Sequence, residues 1–354
     1  MFDVCWQMLP ALQDIRALRR SLLRWFRHHG RDLPWRQTRD PYAILVSEFM
    51  LQQTQVTTVI PYYQRWLRTF PDFATLARAS ENQVLRAWQG LGYYARARNL
   101  HATAKTVMHQ HRGNFPRKIE QIRQLSGIGK YTANAVATFA FDQSVPIIEA
   151  NTGRVLARLF NLRESIDSTA GRTKLWEVAQ CLLPGSHAAD FNSALLDLGA
   201  VICVARKPKC NLCPISTFCR AKNPAALPVR RSRPKTTQLV ETHGFIVRGN
   251  RILLEKSHHR WRGMWILPRL ELDSSNPAIV GKKPVYESVF PFTHHRVKLS
   301  VYHWPAPKRI GPRQKWLESI EHVAMPSPHR RAVDALLDAD FLSAKPAAQR
   351  FPQR

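Results

Sequence analysis

The 354 residues, 44% of them hydrophobic, are enough for two folded domains with separate cores and exclude a disordered chain. Lys+Arg number 53 against 25 Asp+Glu, a formal net charge of +28; such a chain attracts polyanions and binds nucleic acid without sequence preference, although charge alone does not separate DNA from RNA or from an anionic membrane. No apolar run approaches the ~20 residues that span a bilayer, and Met1–Pro10 carries Asp3 without a basic-then-apolar order, so no signal peptide is expected and a cytoplasmic protein is.

Helical periodicity starts with residues 11–29, where Leu12, Ile15, Leu18, Leu22, Leu23 and Phe26 share a face. Leu33-Pro34-Trp35-Arg36 breaks that helix, and Asp40 followed by Pro41 marks the start of a second. Ile44, Leu45, Val46, Phe49, Met50 and Leu51 make the second helix apolar nearly all round, which predicts burial, with Glu48 in its middle. Further helices are expected at 57–69, 80–89, 94–109, 117–124 and 131–140, then from after Asn151 through Arg163, over 172–183 and at 190–201. No strand alternation occurs before residue 220, so the first part reads as all-α.

Composition changes between Ala221 and Leu239, where Pro224, Pro228, Arg230, Arg231, Arg233, Pro234 and Lys235 form a basic, proline-bearing linker without an acidic residue. Beyond it the period switches to two. Gly244–Val247 and Ile252–Leu254, separated by Gly249-Asn250, predict a hairpin, and Val297, Leu299 and Val301 predict a strand. A closing helix is expected from His329 to Leu337 and a disordered tail after Ala344. The division expected is a helical domain over 1–221, a linker over 222–240 and an α+β domain over 241–354.

Four of the six cysteines, Cys203, Cys210, Cys213 and Cys219, follow the spacing C-x6-C-x2-C-x5-C. Clustered cysteines without a secretion signal favour a metal site over a disulfide framework. Four thiolates in one compact loop can wrap a tetrahedral metal or an iron–sulfur cube, and Arg206, Lys207 and Lys209 put positive charge inside the loop. Cys5 and Cys181 fit no ligand spacing and read as an exposed thiol and a core residue.

Between Leu125 and Ala137, Gly127 and Gly129 are expected to take a tight turn with positive φ, opening a helix from Thr132. Backbone N–H groups at such a helix start suit a phosphate, and Lys130 adds charge beside them. The alternative is an ordinary helical corner. Two carboxylates stand out by environment. Glu48, in an apolar helix, is expected to hold its proton near neutrality because burial disfavours the charged form, unless an arginine pairs with it. Glu149 lies where Ala150-Asn151-Thr152-Gly153 reads as a helix start; the helix dipole stabilises its charge, and simple capping is the plain alternative.

Leu33-Pro34-Trp35-Arg36, Ser47–Val56, Gly90–Leu100, Arg154–Arg158 and Phe191–Ala200, taken in order with the glycine hairpin and the cysteines, closely resemble MutY-type adenine DNA glycosylases of the helix-hairpin-helix, endonuclease III superfamily over residues 31–220. The resemblance implies a [4Fe-4S] cluster on Cys203, Cys210, Cys213 and Cys219. It implies Glu48 as the acid that protonates the adenine ring and Glu149 as the group that stabilises the oxocarbenium-like sugar. At that position the family usually has aspartate, and Ala150 replaces its usual glycine. Asn151 matches the family's site asparagine, Gln53 and Tyr93 match residues that wedge into the duplex while the base is flipped out, and Gly127, Gly129 and Lys130 match the phosphate-gripping hairpin. Bifunctional relatives carry a lysine at Tyr131; a phenol forms no Schiff base, and Lys130 is turned about 100° away on the helix. A monofunctional glycosylase with water as nucleophile follows.

Residues 241–354 resemble the family's C-terminal Nudix-like domain, which reads 8-oxoguanine, through Arg260–Pro268 and Phe292-Thr293-His294-His295. Thr293 sits where the family commonly has a lesion-contacting serine, with His294 beside it; a plain strand residue and a surface histidine are the alternatives. Between Gly263 and Glu287 only Glu271 and Asp273 are acidic, so metal-dependent pyrophosphatase chemistry lacks its carboxylates, and Trp261 and Trp265 read as core. The expected fold is thus an all-α helix-hairpin-helix domain with a [4Fe-4S] loop plus a C-terminal α+β Nudix-like domain. The expected function is removal of adenine opposite 8-oxoguanine or guanine in double-stranded DNA by a monomer. A bifunctional pyrimidine-lesion glycosylase/lyase and a zinc-bearing DNA-binding regulator are the competing readings.

Overall fold

A computed structural model describes residues 12–231, 236–270 and 282–343. By internal contacts the chain divides into two units, Met1–Arg78 with Asn99–Arg233, and Ala79–Arg98 with Pro234–Arg354. Glu271, Asp273, Cys5, the first ten residues and the tail after Ala344 lie outside the described residues.

The first unit is helical. Helix α1 (Leu12–His29) places Leu18 and Leu22 in a core shared with Leu156, Leu175, Leu182, Phe191 and Leu195. A one-turn 3-10 segment at Pro34–Arg36 leads to α2 (Pro41–Leu51), whose first turn is closed by Asp40 accepting from the amides of Tyr42 and Ala43. Every residue from Tyr42 to Met50 is buried, as the all-round apolar pattern requires. Helix α3 (Val56–Thr69) follows, then α4 (Phe73–Arg78). The pattern of apolar residues does not announce α4; its six residues are too few for a period, and Asp72 starts it by accepting from the amide of Thr75.

The long helix α6 (Ala95–Gln110) comes after α5 (Glu81–Ala87) of the second unit, and α7 (Ile119–Gln124) leads through the glycine turn into α8 (Lys130–Phe141). Helices α9 (Ala150–Leu159), α10 (Thr169–Leu182) and α11 (Ala188–Asp197) complete the unit. Several boundaries differ from expectation. Helix α9 starts at Ala150, capped by Glu149, and ends at Leu159 rather than Arg163; α10 starts at Thr169 rather than 172; α11 starts at Ala188 and stops at Asp197, where Leu198–Ile202 widens into a π-helical turn. Among the described residues no helix is long and apolar enough to cross a membrane.

In the second unit, β1 (Thr237–Phe245) runs parallel to β6 (His295–His303), which pairs antiparallel with β5 (Tyr286–Phe292). A second sheet joins β2 (Val247–Arg248), β3 (Arg251–Lys256), β4 (Trp265–Ile266) and β7 (Gln314–Leu317). The expected hairpin is therefore shorter: Val247-Arg248 pairs across Gly249-Asn250, with the Leu253 amide donating to the Ile246 carbonyl at 2.9 Å, while the strand before it leaves for β6. That strand begins at Thr237, inside the stretch that composition assigns to the linker. The closing helix α12 spans Ser327–Ser343, longer than 329–337.

Candidate active site

A cleft of about 920 Å³ in the first unit gathers Glu48, Gln53, Tyr131, Glu149 and Asn151. Glu48 projects from the buried helix α2 and is 4% exposed. Burial pushes its carboxyl up to about 7, the nearby charge of Glu149 adds to the rise, and a hydrogen bond from the Tyr131 phenol opposes it. Its second oxygen, Oε2, is buried with no partner. Two arginines that line the same cleft, Arg31 and Arg36, both chelate Asp197 instead, Arg36 through Nη1 and Nη2 at 2.9 Å each.

Tyr131, on the first turn of α8, is raised well above the usual phenol range by burial and by the Glu48 and Glu149 charges, so it stays a donor at neutral pH. Lys130, one residue earlier, lays its Nζ 3.6 Å from the centroid of the Trp176 ring. It does not line the cleft, and Tyr131 does.

Glu149 does two jobs. Its Oε1 accepts from the amides of Asn151 (2.7 Å) and Thr152 (2.9 Å), and its own amide donates to Thr152 Oγ1 (2.8 Å), a reciprocal cap that fixes the carboxylate at the positive end of α9. A glutamate thus makes this cap, with the carboxylate still lining the cleft.

Asn151 is held by a residue that sequence reasoning passed over. Arg154 Nη2 donates to Asn151 Oδ1 and to the Gly199 carbonyl, each at 2.7 Å, and its Nε donates to the Cys203 carbonyl at 2.8 Å. Gly199 lies so close that a Cβ there would sit 2.7 Å from Asn151 Cβ. One turn further along α9, Arg158 is buried and donates to Cys203 Sγ (3.3 Å) and to the carbonyls of Val204, Ala205 and Leu227. Two arginines four apart on a helix with an apolar face were the available signal. Asp197 was equally missed; buried, it is the partner that its neighbours Arg31 and Arg36 require.

The glycine turn differs in one respect from expectation. Gly127 takes φ +73°, and a Cβ there would meet the Asn99 side chain at 2.4 Å, whereas Gly129 is extended at φ −87° with open space at its Cβ. Gly129 is the N-cap of α8 and supplies no side-chain hydrogen bond, which leaves the first-turn amides open to an anion. Gln53 is exposed just past α2 at φ +57°, a conformation that costs a non-glycine residue energy.

The four cysteines of the loop are thiols free of disulfides. Burial, and after it the charges of Cys203, Cys219 and Cys210, push the Cys213 thiol up to about 11; thiolates brought together need a cationic group between them. Arg206, Lys207 and Lys209 are exposed around it.

In the second unit Tyr93 is 43% exposed at φ +47°. Thr293 and His294 form the two-residue turn between β5 and β6, both exposed, with Thr293 at φ +54° and its hydroxyl donating back to the Phe292 carbonyl at 2.7 Å. Trp261 is buried against Phe290 and His329, and Trp265 is half-buried.

Residues 46–181 match the HhH-GPD superfamily of base excision DNA repair proteins, and residues 203–219 match the iron-sulfur binding domain of endonuclease III. The cysteine loop therefore holds an iron–sulfur cluster. The chain is 42% identical over 215 residues to the adenine DNA glycosylase of Mycolicibacterium smegmatis (strain ATCC 700084 / mc(2)155), a match covering 60% of this chain and 72% of the relative. The chain belongs to the adenine DNA glycosylase family. It is also 42% identical over 225 residues to the Rattus norvegicus adenine DNA glycosylase, covering 61% of this chain, but that match spans only 44% of the relative's length. A solved thermostable thymine-DNA glycosylase, 31% identical, superposes with a TM-score of 0.54 over 59% of this chain and 96% of its own. The helical, cluster-bearing part expected of the sequence is thus a family property.

Proposed function

We propose that the chain is a monofunctional adenine DNA glycosylase, removing adenine opposite 8-oxoguanine or guanine in duplex DNA during base excision repair. One observation carries the reading: a buried carboxyl at Glu48, one oxygen of which has no partner, shares a cleft with a capped carboxylate at Glu149. An acid poised near 7 donates its proton to a ring nitrogen of the extruded adenine as the glycosidic bond lengthens. Positive charge grows on the sugar and is met by Glu149, fixed in place by the helix start. Asn151, held by Arg154, orients substrate and water; the water oxygen bonds to the sugar carbon that lost the base, and its proton goes to the carboxylate that Glu48 became on protonating the adenine. Tyr131 forms no imine; it holds Glu48 in place.

Around this chemistry, Gln53 and Tyr93 enter the duplex where the base leaves it, and the hairpin of Gly127, Gly129 and Lys130 grips a backbone phosphate. Thr293 and His294 contact the oxidised base opposite, the Thr293 hydroxyl turning out of its own loop to do so. The cluster on Cys203, Cys210, Cys213 and Cys219 shapes the loop that carries Arg206, Lys207 and Lys209 to the phosphates. The protein acts as a cytoplasmic, nucleoid-associated monomer whose helical domain (1–221), linker (222–240) and Nudix-like domain (241–354) share these tasks.

Single-turnover incubation with duplexes holding A:8-oxoguanine, A:G and T:G tests the reading. Adenine is expected from the first two, with strand breaks only after alkali. Thymine release would side with the thymine-DNA glycosylase likeness, alkali-free breaks with a lyase, and binding without release with a regulator.

A further inference from the structure

The turn that presents Tyr93 is held in an unusual backbone form. Gly90, Gly92 and Tyr93 all take positive φ, at 105°, 71° and 47°. Glycine tolerates this freely; tyrosine does not, so something must hold the last residue there. Arg96 packs against the turn, 6% exposed, on the first turn of α6. Its Nη2 donates to the carbonyls of Leu91 (3.0 Å) and Gly92 (3.1 Å), the second of which also accepts from Trp88 Nε1 at 3.1 Å. Its guanidinium carbon lies 5.3 Å from the Trp88 ring centroid and 5.6 Å from that of Tyr93. A planar fork that bonds carbonyls and stacks on rings at once is arginine chemistry, which lysine reproduces only in part.

We infer that Arg96 is a positioning residue for Tyr93: it locks the Gly90–Tyr93 turn in the form that holds the phenol ring out in solvent, so the ring enters a duplex already ordered. An ordered wedge loses less freedom on insertion than a floppy one. The inference rests on the reading above only in its assignment of Tyr93 to the duplex.

Two measurements on the full chain test it. In hydrogen exchange without DNA, Arg96→Met is expected to speed exchange of the amides in residues 90–95 roughly tenfold, with Arg96→Lys intermediate. In a binding cycle with A:8-oxoguanine duplex, Arg96→Met is expected to weaken affinity roughly tenfold, yet to cost nothing further in a Tyr93→Ala background. Unchanged exchange in the turn, or losses that add in the double variant, would overturn the inference. If Arg96→Met does not fold, Arg96→Gln and Arg96→Lys carry both measurements. A wild-type chain that releases no adenine would sink the proposed reaction, while the exchange measurement would still decide on Arg96.

Discussion

Tyr131 donates a hydrogen bond to Glu48 from the first turn of α8, while the other oxygen of that carboxyl is buried without a partner. The pair reverses the habit of buried acids, which are usually neutralised by a base. Here the acid is kept weak by burial and fixed in place by a phenol that cannot take its proton.

Base release should therefore follow the protonated fraction of Glu48. With its carboxyl raised to about 7, the single-turnover rate is expected to hold below that pH and to fall about tenfold per unit above it. Glu48→Gln should abolish release while leaving duplex affinity intact. Tyr131→Phe removes the interaction that holds the carboxyl down, so the alkaline limb should move to higher pH. A limb that stays where it was would show that Glu48 does not set it.

The same acid should cost stability. Unfolded, Glu48 ionises near its ordinary value of 4.5; folded, it keeps its proton to about 7. Between those values the native state binds more protons than the unfolded state, so rising pH destabilises the fold, and above 7 the loss is constant. At about 1.4 kcal/mol per unit the loss approaches roughly 3 kcal/mol. Glu48→Gln should melt higher than wild type at pH 8 and converge with it below pH 4.5; melting curves across that range check the sign.

Gly199→Ala should damage the cleft without touching a titrating group. The new methyl would crowd Asn151 Cβ and backbone at 2.7–3.0 Å, costing about 1–3 kcal/mol of stability as overpacking. Displacing Asn151 from Arg154 should lower release by roughly ten- to hundredfold, read at saturating enzyme so that binding is excluded.

Asp197→Asn should be among the more destabilising single changes. Burial alone would raise the Asp197 carboxyl, but hydrogen bonds and charge from Arg36, with help from Arg31, hold it below the usual range. Removing the carboxylate leaves two partly buried guanidiniums without their counter-charge, at a cost of about 3–5 kcal/mol. Chemical denaturation at neutral pH measures it.

Local signals carried much of this protein. The Asp40-Pro41 start, the all-round apolar helix bearing Glu48 and the four-cysteine spacing each lie within a few turns of chain, so neighbouring residues determined them. What depends on residues far apart was out of reach. The parallel pairing of β1 with β6 joins Thr237 to His295, and it shortened the hairpin that Gly249-Asn250 suggested. Arg154 reaches the Gly199 and Cys203 carbonyls, and Asp197 collects arginines more than 160 positions away. Composition and period say which side chains must be buried or charged. Only the packed fold decides which polar group each one meets, because that choice is made by geometry across elements that share no stretch of sequence.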